Sequence, residues 1–194
     1  MNVDVLLFRN FETLDAFGPV EILGSVPGFS VRCVSPNGGM VVSVQGVRVW
    51  TEPLGTGSEP EVLLVPGGMG TRALVGDPAY LAGLKDVAER SAHVLTVCTG
   101  SALLAATGLL DGLRATSNKR AFDWVVSVNP SVRWVSCARW VVDGKFYTSS
   151  GVSAGMDMAL GFLEDRLGRA EAEAAARRIE YVRNADRDED PFAR

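Results

Sequence analysis

The segment His93-Val94-Leu95-Thr96-Val97-Cys98-Thr99-Gly100-Ser101 decides the fold. Apolar, β-forming residues run into a cluster of small ones, and a cysteine stands at the junction. The pattern describes a strand turning abruptly into a helix, an elbow that lifts one side chain above the sheet among backbone N–H groups. Taken alone, Cys98 has a second reading, because cysteine is among the most buried residue types and usually packs as a small hydrophobe. The surrounding chain decides between the two.

Val3 to Phe8 and Val62 to Val65 are near-continuous apolar runs, as expected of strands buried on both faces of a parallel sheet. With 29–34 and 93–97 they alternate with helical patterns, which sets the class as α/β with a mainly parallel central sheet. Pro19 fits the first turn of a helix that stops near Pro27-Gly28, so Asp15 is expected at or just before its N-terminus. Residues 40–50, alternating around Gln45-Gly46, read as a hairpin at the sheet margin. Helices are expected over 101–110 and 118–128, a β-like section over 132–148, and helices over 152–167 and 170–181 with Gly168 between them. Residues 1–183 are read as a single domain and 184–194 as a charged tail, loose or reaching toward a partner.

Composition narrows the function. A chain of 194 residues, 47% hydrophobic and 22% charged, has room for one well-formed core. A formal net charge of −4 with no basic stripe disfavours a nucleic-acid partner. No apolar run approaches the roughly 20 residues of a membrane span, and Met1-Asn2-Val3-Asp4 does not open a signal peptide, so a cytoplasmic location is expected. Three cysteines, Cys33, Cys98 and Cys137, are odd in number and widely spaced, which points to free thiols and argues against a disulfide framework and a zinc site. His93 is the one histidine, and along a strand it stands roughly 16 Å from Cys98, so its role is read as structural. Cys33 and Cys137 read as buried strand thiols, Trp124, Trp134 and Trp140 as core or dimer contacts, and Glu21 as solvated.

In open parallel sheets, sites form beyond the carboxyl ends of strands. Three such ends carry Asp15, the turn Pro66-Gly67-Gly68, and Cys98. The N–H groups of Gly67, Gly68 and Thr99 are candidates for an oxyanion hole over a small-molecule substrate. A helix N-terminus lowers a thiol pKa, while a nearby carboxylate opposes a second negative charge, so the expected pair is a protonated Asp15 beside an ionised Cys98. Asn118 reads either as the N-cap of its helix or as a substrate contact from the cleft lip.

Asp15-Ala16-Phe17-Gly18-Pro19, Pro66-Gly67-Gly68 and Val97-Cys98-Thr99-Gly100-Ser101 resemble the ThiJ/PfpI superfamily over residues 3–183. The resemblance implies a flavodoxin-like, class I glutamine-amidotransferase-like three-layer sandwich. Leu14-Asp15, the elbow and Ala105-Ala106-Thr107-Gly108-Leu109-Leu110 most resemble isonitrile (isocyanide) hydratases. That implies Cys98 as nucleophile, Asp15 as general acid/base, Thr99 as a positioning neighbour, no cofactor and a homodimer. The implied reaction adds water to R–NC through a Cys98 thioimidate to give an N-formamide. Many relatives read Ala-Thr-Thr-His-Trp where this chain has Ala115-Thr116-Ser117-Asn118-Lys119, and losing that histidine weakens a peptidase or amidase reading. Two other readings stand beside the hydratase. One is a ligand-sensing domain related to AraC-type regulators, whose DNA-binding domain has no room after Arg194. The other is a glyoxalase-like or stress-protective thiol protein, ranked lower because such relatives more often carry Glu at the Asp15 position.

Overall fold

The apolar run Val3–Leu7 lies at the centre of the sheet, fully or almost fully buried on both faces. The computed structural model describes residues 1–57 and 59–193. Along the chain it contains β1 (Asn2–Leu6), α1 (Thr13–Gly24), β2 (Ser30–Ser35), β3 (Gly39–Val42), β4 (Arg48–Pro53), β5 (Val62–Val65), α2 (Thr71–Leu74), α3 (Pro78–Arg90), β6 (His93–Val97) and α4 (Gly100–Ala106). There follow β7 (Arg114–Ala115), a 3₁₀ turn (Lys119–Ala121), α5 (Phe122–Val128), β8 (Arg133–Trp134), β9 (Trp140–Asp143), β10 (Phe146–Ser149), α6 (Ala154–Leu167) and α7 (Arg169–Arg178).

The main sheet runs β3-β4-β2-β1-β5-β6-β10-β9. Its six inner strands are parallel, and the antiparallel pairs β3–β4 and β9–β10 form the margins. The expected hairpin is therefore present, with Met40 opposite Trp50. The β-like section 132–148 divides instead. Arg133–Trp134 pairs with Arg114–Ala115 in a separate two-stranded sheet, while β9 and β10 close the main one. Helix α6 packs on both α1 and α7, and α4 gathers α2, α3 and α5 around it. Among the described residues no helix is long and apolar enough to cross a membrane.

Helix α1 departs from expectation in a way that matters for the site. It begins at Thr13, so Asp15 lies inside its first turn and Pro19 lies in its interior. Its start is fixed from outside: Gln45 Oε1 in the β3–β4 turn accepts from Thr13 N at 3.1 Å and from Thr13 Oγ1 at 2.6 Å. Gly18 lets the helix close on Met156 of α6, where a Cβ would stand 2.8 Å from that side chain. Tertiary packing thus retains a helix that a proline within it weakens.

Cys33 is half-buried in β2, and Cys137 is exposed outside any strand, so neither is a buried strand thiol. The loop that carries Cys137 also binds the chain end, since its carbonyl accepts from Asp190 N at 2.7 Å. Asp190 reaches the buried Arg139 at 3.4 Å, and Arg139 pairs with Asp157 at 2.5 Å. Residues 184–193 are accordingly fastened to the body of the fold rather than loose. Trp140 is buried, Trp134 is half-buried, and Trp124 is covered by Arg72. Glu21 is exposed, as expected.

Candidate active site

Thr96 and Val97 are fully buried in β6, and the next residue breaks the strand. Cys98 takes φ +58°, the left-handed region that a side chain rarely occupies without support. The support is visible. Its N–H is shared between the carbonyls of Ser149 and Ser150 at 3.2 Å each, and its own carbonyl accepts from Ser117 Oγ at 2.9 Å and Ser101 Oγ at 3.1 Å. The elbow expected from the sequence is therefore formed, with a side chain only 6% exposed.

Asp15 reaches the same point from α1. It is fully buried, its Oδ2 accepts from Gly67 N at 3.0 Å, and its Oδ1 is buried without a hydrogen-bond partner. The carboxyl and the Cys98 thiol are in contact, and each shifts the other's titration. Burial pushes Asp15 up to about 8, against the opposing pull of the Cys98 and Gly67 contacts. Burial, followed by the neighbouring carboxylate, pushes the Cys98 thiol well above its ordinary range. The Thr99 N–H and the Asn118 amide act in the other direction.

Half of the electrostatic expectation thus holds: Asp15 is a neutral acid near pH 7. The ionised Cys98 does not hold as a resting state. Helix α4 has only seven residues, and desolvation of a nearly inaccessible sulfur outweighs its dipole. The two groups titrate as a pair, in which burial opposes the first negative charge and repulsion the second.

Gly67 and Gly68 also serve a different purpose from the one expected. The Gly67 N–H holds Asp15, and the Gly68 N–H donates to Thr99 Oγ1 at 3.0 Å, so neither amide is free for an oxyanion. Thr71 Oγ1 extends this chain to Thr99 Oγ1 at 3.2 Å. A Cβ on Gly67 would stand 2.5 Å from Thr99 N and 2.9 Å from Asp15 Oδ2, which explains the glycine. Asn118 fulfils both of its readings. Its Oδ1 caps the 3₁₀ turn by accepting from Ala121 N at 3.0 Å, while its amide touches the Cys98 sulfur.

Above this cluster opens a cleft of about 390 Å³, lined at its floor by Cys98, Thr99, Gly68 and Asn118. Glu12, Met69, Arg72, Arg120 and Val152 form its walls. These wall residues carried no motif in the sequence, although Arg72 follows the glycine-rich turn and Arg120 stands two places after Asn118. A larger cleft of about 560 Å³ lies beyond the ends of β1 and β2, lined by Phe8, Ser35, Asn37 and Tyr80. It has no cysteine and no acid–thiol pair in its lining, so side-chain chemistry rather than size selects the Cys98 cleft as the candidate. His93 lies at the far end of β6, edge-on to Phe162 with ring centroids 5.2 Å apart.

A buried acid–thiol pair on a parallel-sheet elbow defines a class of protein, and the chain belongs to the DJ-1/PfpI family, which it matches over residues 1–165. Its fold is the flavodoxin-like, class I glutamine-amidotransferase-like sandwich of that family. It is 32% identical over 186 residues to the isonitrile hydratase of Pseudomonas putida, covering 94% of this chain and 79% of that one. It is 29% identical to the HTH-type transcriptional regulator GbdR of Pseudomonas aeruginosa (strain UCBPP-PA14), covering 94% of this chain and 51% of the regulator, about half its length. Among solved structures, a ThiJ/PfpI family protein from Pseudomonas syringae superposes with a TM-score of 0.85 at 31% identity, covering 94% of this chain and 76% of that one.

Proposed function

We propose that the protein hydrates an isocyanide, with Cys98 as nucleophile, Asp15 as acid and base, and Thr99 and Asn118 positioning the reacting groups. The observation that carries this reading is the desolvated Asp15–Cys98 pair with the one histidine remote from it. An isocyanide needs a sulfur and a proton added to the same carbon, which suits a neutral acid next to a thiol. Asp15 delivers its proton to the terminal carbon as Sγ bonds to it, then recovers the thiol proton, leaving R–N=CH–S–Cys98. Water adds to this thioimidate, the C–S bond breaks, and R–NH–CHO leaves as the thiol is restored.

The test is formamide production from a simple aryl isocyanide. Cys98→Ala and Asp15→Asn are each expected to lower the rate by about 10²-fold or more. Equal rates in the three proteins would remove the proposal. A homodimer and a cytoplasmic location belong to the same reading, and light scattering of the purified protein tests the first.

A second reading, ligand sensing, is favoured by the similarity to the regulator and by the high resting pKa of the thiol. It predicts binding of a metabolite that survives Cys98→Ala with no turnover by the parent protein. Consumption of methylglyoxal without isocyanide turnover would instead favour the glyoxalase-like alternative.

A further inference from the structure

Two guanidinium groups in the Cys98 cleft take no part in this chemistry. Arg72 comes from the short helix α2 and Arg120 from the 3₁₀ turn after Asn118, and both line the cleft. Among the described residues neither forms an ion pair with a carboxylate. Arg72 is nevertheless held in place, because its guanidinium lies over the Trp124 ring, 3.5 Å from the centroid. Stacking uses the face of a guanidinium and leaves its in-plane N–H donors available for a bidentate partner. Ordering the side chain beforehand also reduces the entropy lost on binding.

The one carboxylate in the cleft lining, Glu12, already accepts from Gln45 Nε2 at 2.6 Å. Two positive charges, one of them held by stacking, therefore face one negative charge that has another partner. Asp15, uncharged near neutral pH, adds no repulsion. A cleft of about 390 Å³ takes a small molecule, and a purely hydrocarbon one would leave both guanidinium groups without a counterpart.

We propose that the substrate bears a carboxylate remote from its reacting carbon, and that Arg72 and Arg120 hold that carboxylate while Cys98 meets the carbon. This rests on Cys98 being the group presented to the substrate. It does not require hydration itself, and the experiment separates the two.

Iodoacetate and iodoacetamide differ mainly in charge, and each alkylates a thiol by forming one S–C bond with loss of iodide. Their rates at Cys98 are followed by peptide mapping in a Cys33→Ser, Cys137→Ser background, with a neutral free thiol measured alongside. The iodoacetate-to-iodoacetamide ratio at Cys98 is expected to exceed that of the free thiol by about fivefold or more at low salt. Arg72→Gln and Arg120→Gln should each lower the ratio, and Arg72→Lys should retain part of it. A ratio equal to that of the free thiol and indifferent to both arginines would overturn the proposal, even if isocyanides are hydrated. A raised, arginine-dependent ratio would support it even if no formamide forms. Calorimetry on Cys98→Ser gives an independent readout: benzoate should bind more tightly than benzamide, and equal affinities would count against the site.

Discussion

Asp15 shows how one buried carboxyl carries both an unusual charge state and a stability cost. Its pKa rises from 3.8 in the unfolded chain to about 8 in the fold, mainly through burial. Between those values the folded state holds a proton that the unfolded state has released. Stability is therefore greatest below about pH 4 as far as Asp15 is concerned, and declines as pH rises toward 8, by up to about 1.4 kcal/mol per pH unit. Asp15→Asn, which keeps an acceptor for Gly67 N, should unfold at a higher temperature than the parent at pH 8, with little difference at pH 4. Parallel thermal melts at the two pH values would check this. Under the proposed mechanism, the same protonation predicts that formamide production weakens above about pH 8, where Asp15 is deprotonated. Asp15 and Cys98 were legible in the sequence because residue type and position at a strand end sufficed to select them. The charge state of Cys98 was not, because desolvation depends on how closely distant segments cover the sulfur. Arg72 and Arg120 were missed for a related reason: an arginine is informative only when its lack of a partner can be seen.

Among the elements, the turns control the site more tightly than the helices do. Gly67→Ala would drive a Cβ against Thr99 and Asp15, at 2.5 Å from Thr99 N, and should lower stability by about 1–3 kcal/mol while displacing the acid. Denaturant melts together with formamide assays would register both losses. Gly151→Ala is a more selective probe. Its Cβ would run into the Asn118 amide and stand 3.1 Å from Cys98 Sγ, removing a group that stabilises the thiolate. Thiolate absorbance as a function of pH should show the Cys98 titration moved further upward. Strands β1, β2, β5 and β6 were legible from apolar runs alone, and the β3–β4 hairpin from alternation around Gln45-Gly46. The start of α1 was not, because its first turn is fastened by Gln45, thirty-two positions along the chain from Thr13. The division of 132–148 between two sheets was hidden likewise, since β7 and β8 are two residues each and carry no periodicity.

At the scale of the whole molecule, the chain end closes over the body through Arg139, which is buried between Asp157 and Asp190. Asp190→Ala should cost about 2–4 kcal/mol and loosen residues 184–193, because Arg139 would lose one of its two carboxylates and the segment one of its anchors. Limited proteolysis should then cut this segment ahead of the rest. Phe192 helps wall a small cavity, about 180 Å³, that shares Asn118, Arg120 and Val152 with the Cys98 cleft, so the same substitution should also widen access from that side. Charge composition alone made this segment look unattached, since a sequence does not reveal that one of its aspartates faces a buried arginine.

The amide of Cys98 is held by the carbonyls of Ser149 and Ser150, at the end of β10. During synthesis, the cysteine emerges some fifty residues before the segment that completes its setting. Until β10 docks beside β6, that thiol lacks the enclosure that raises its pKa, and it ionises as an ordinary cysteine would. The interval before the final strand arrives is therefore when this sulfur is most open to oxidants and stray electrophiles, and the closing of the sheet is what shelters it.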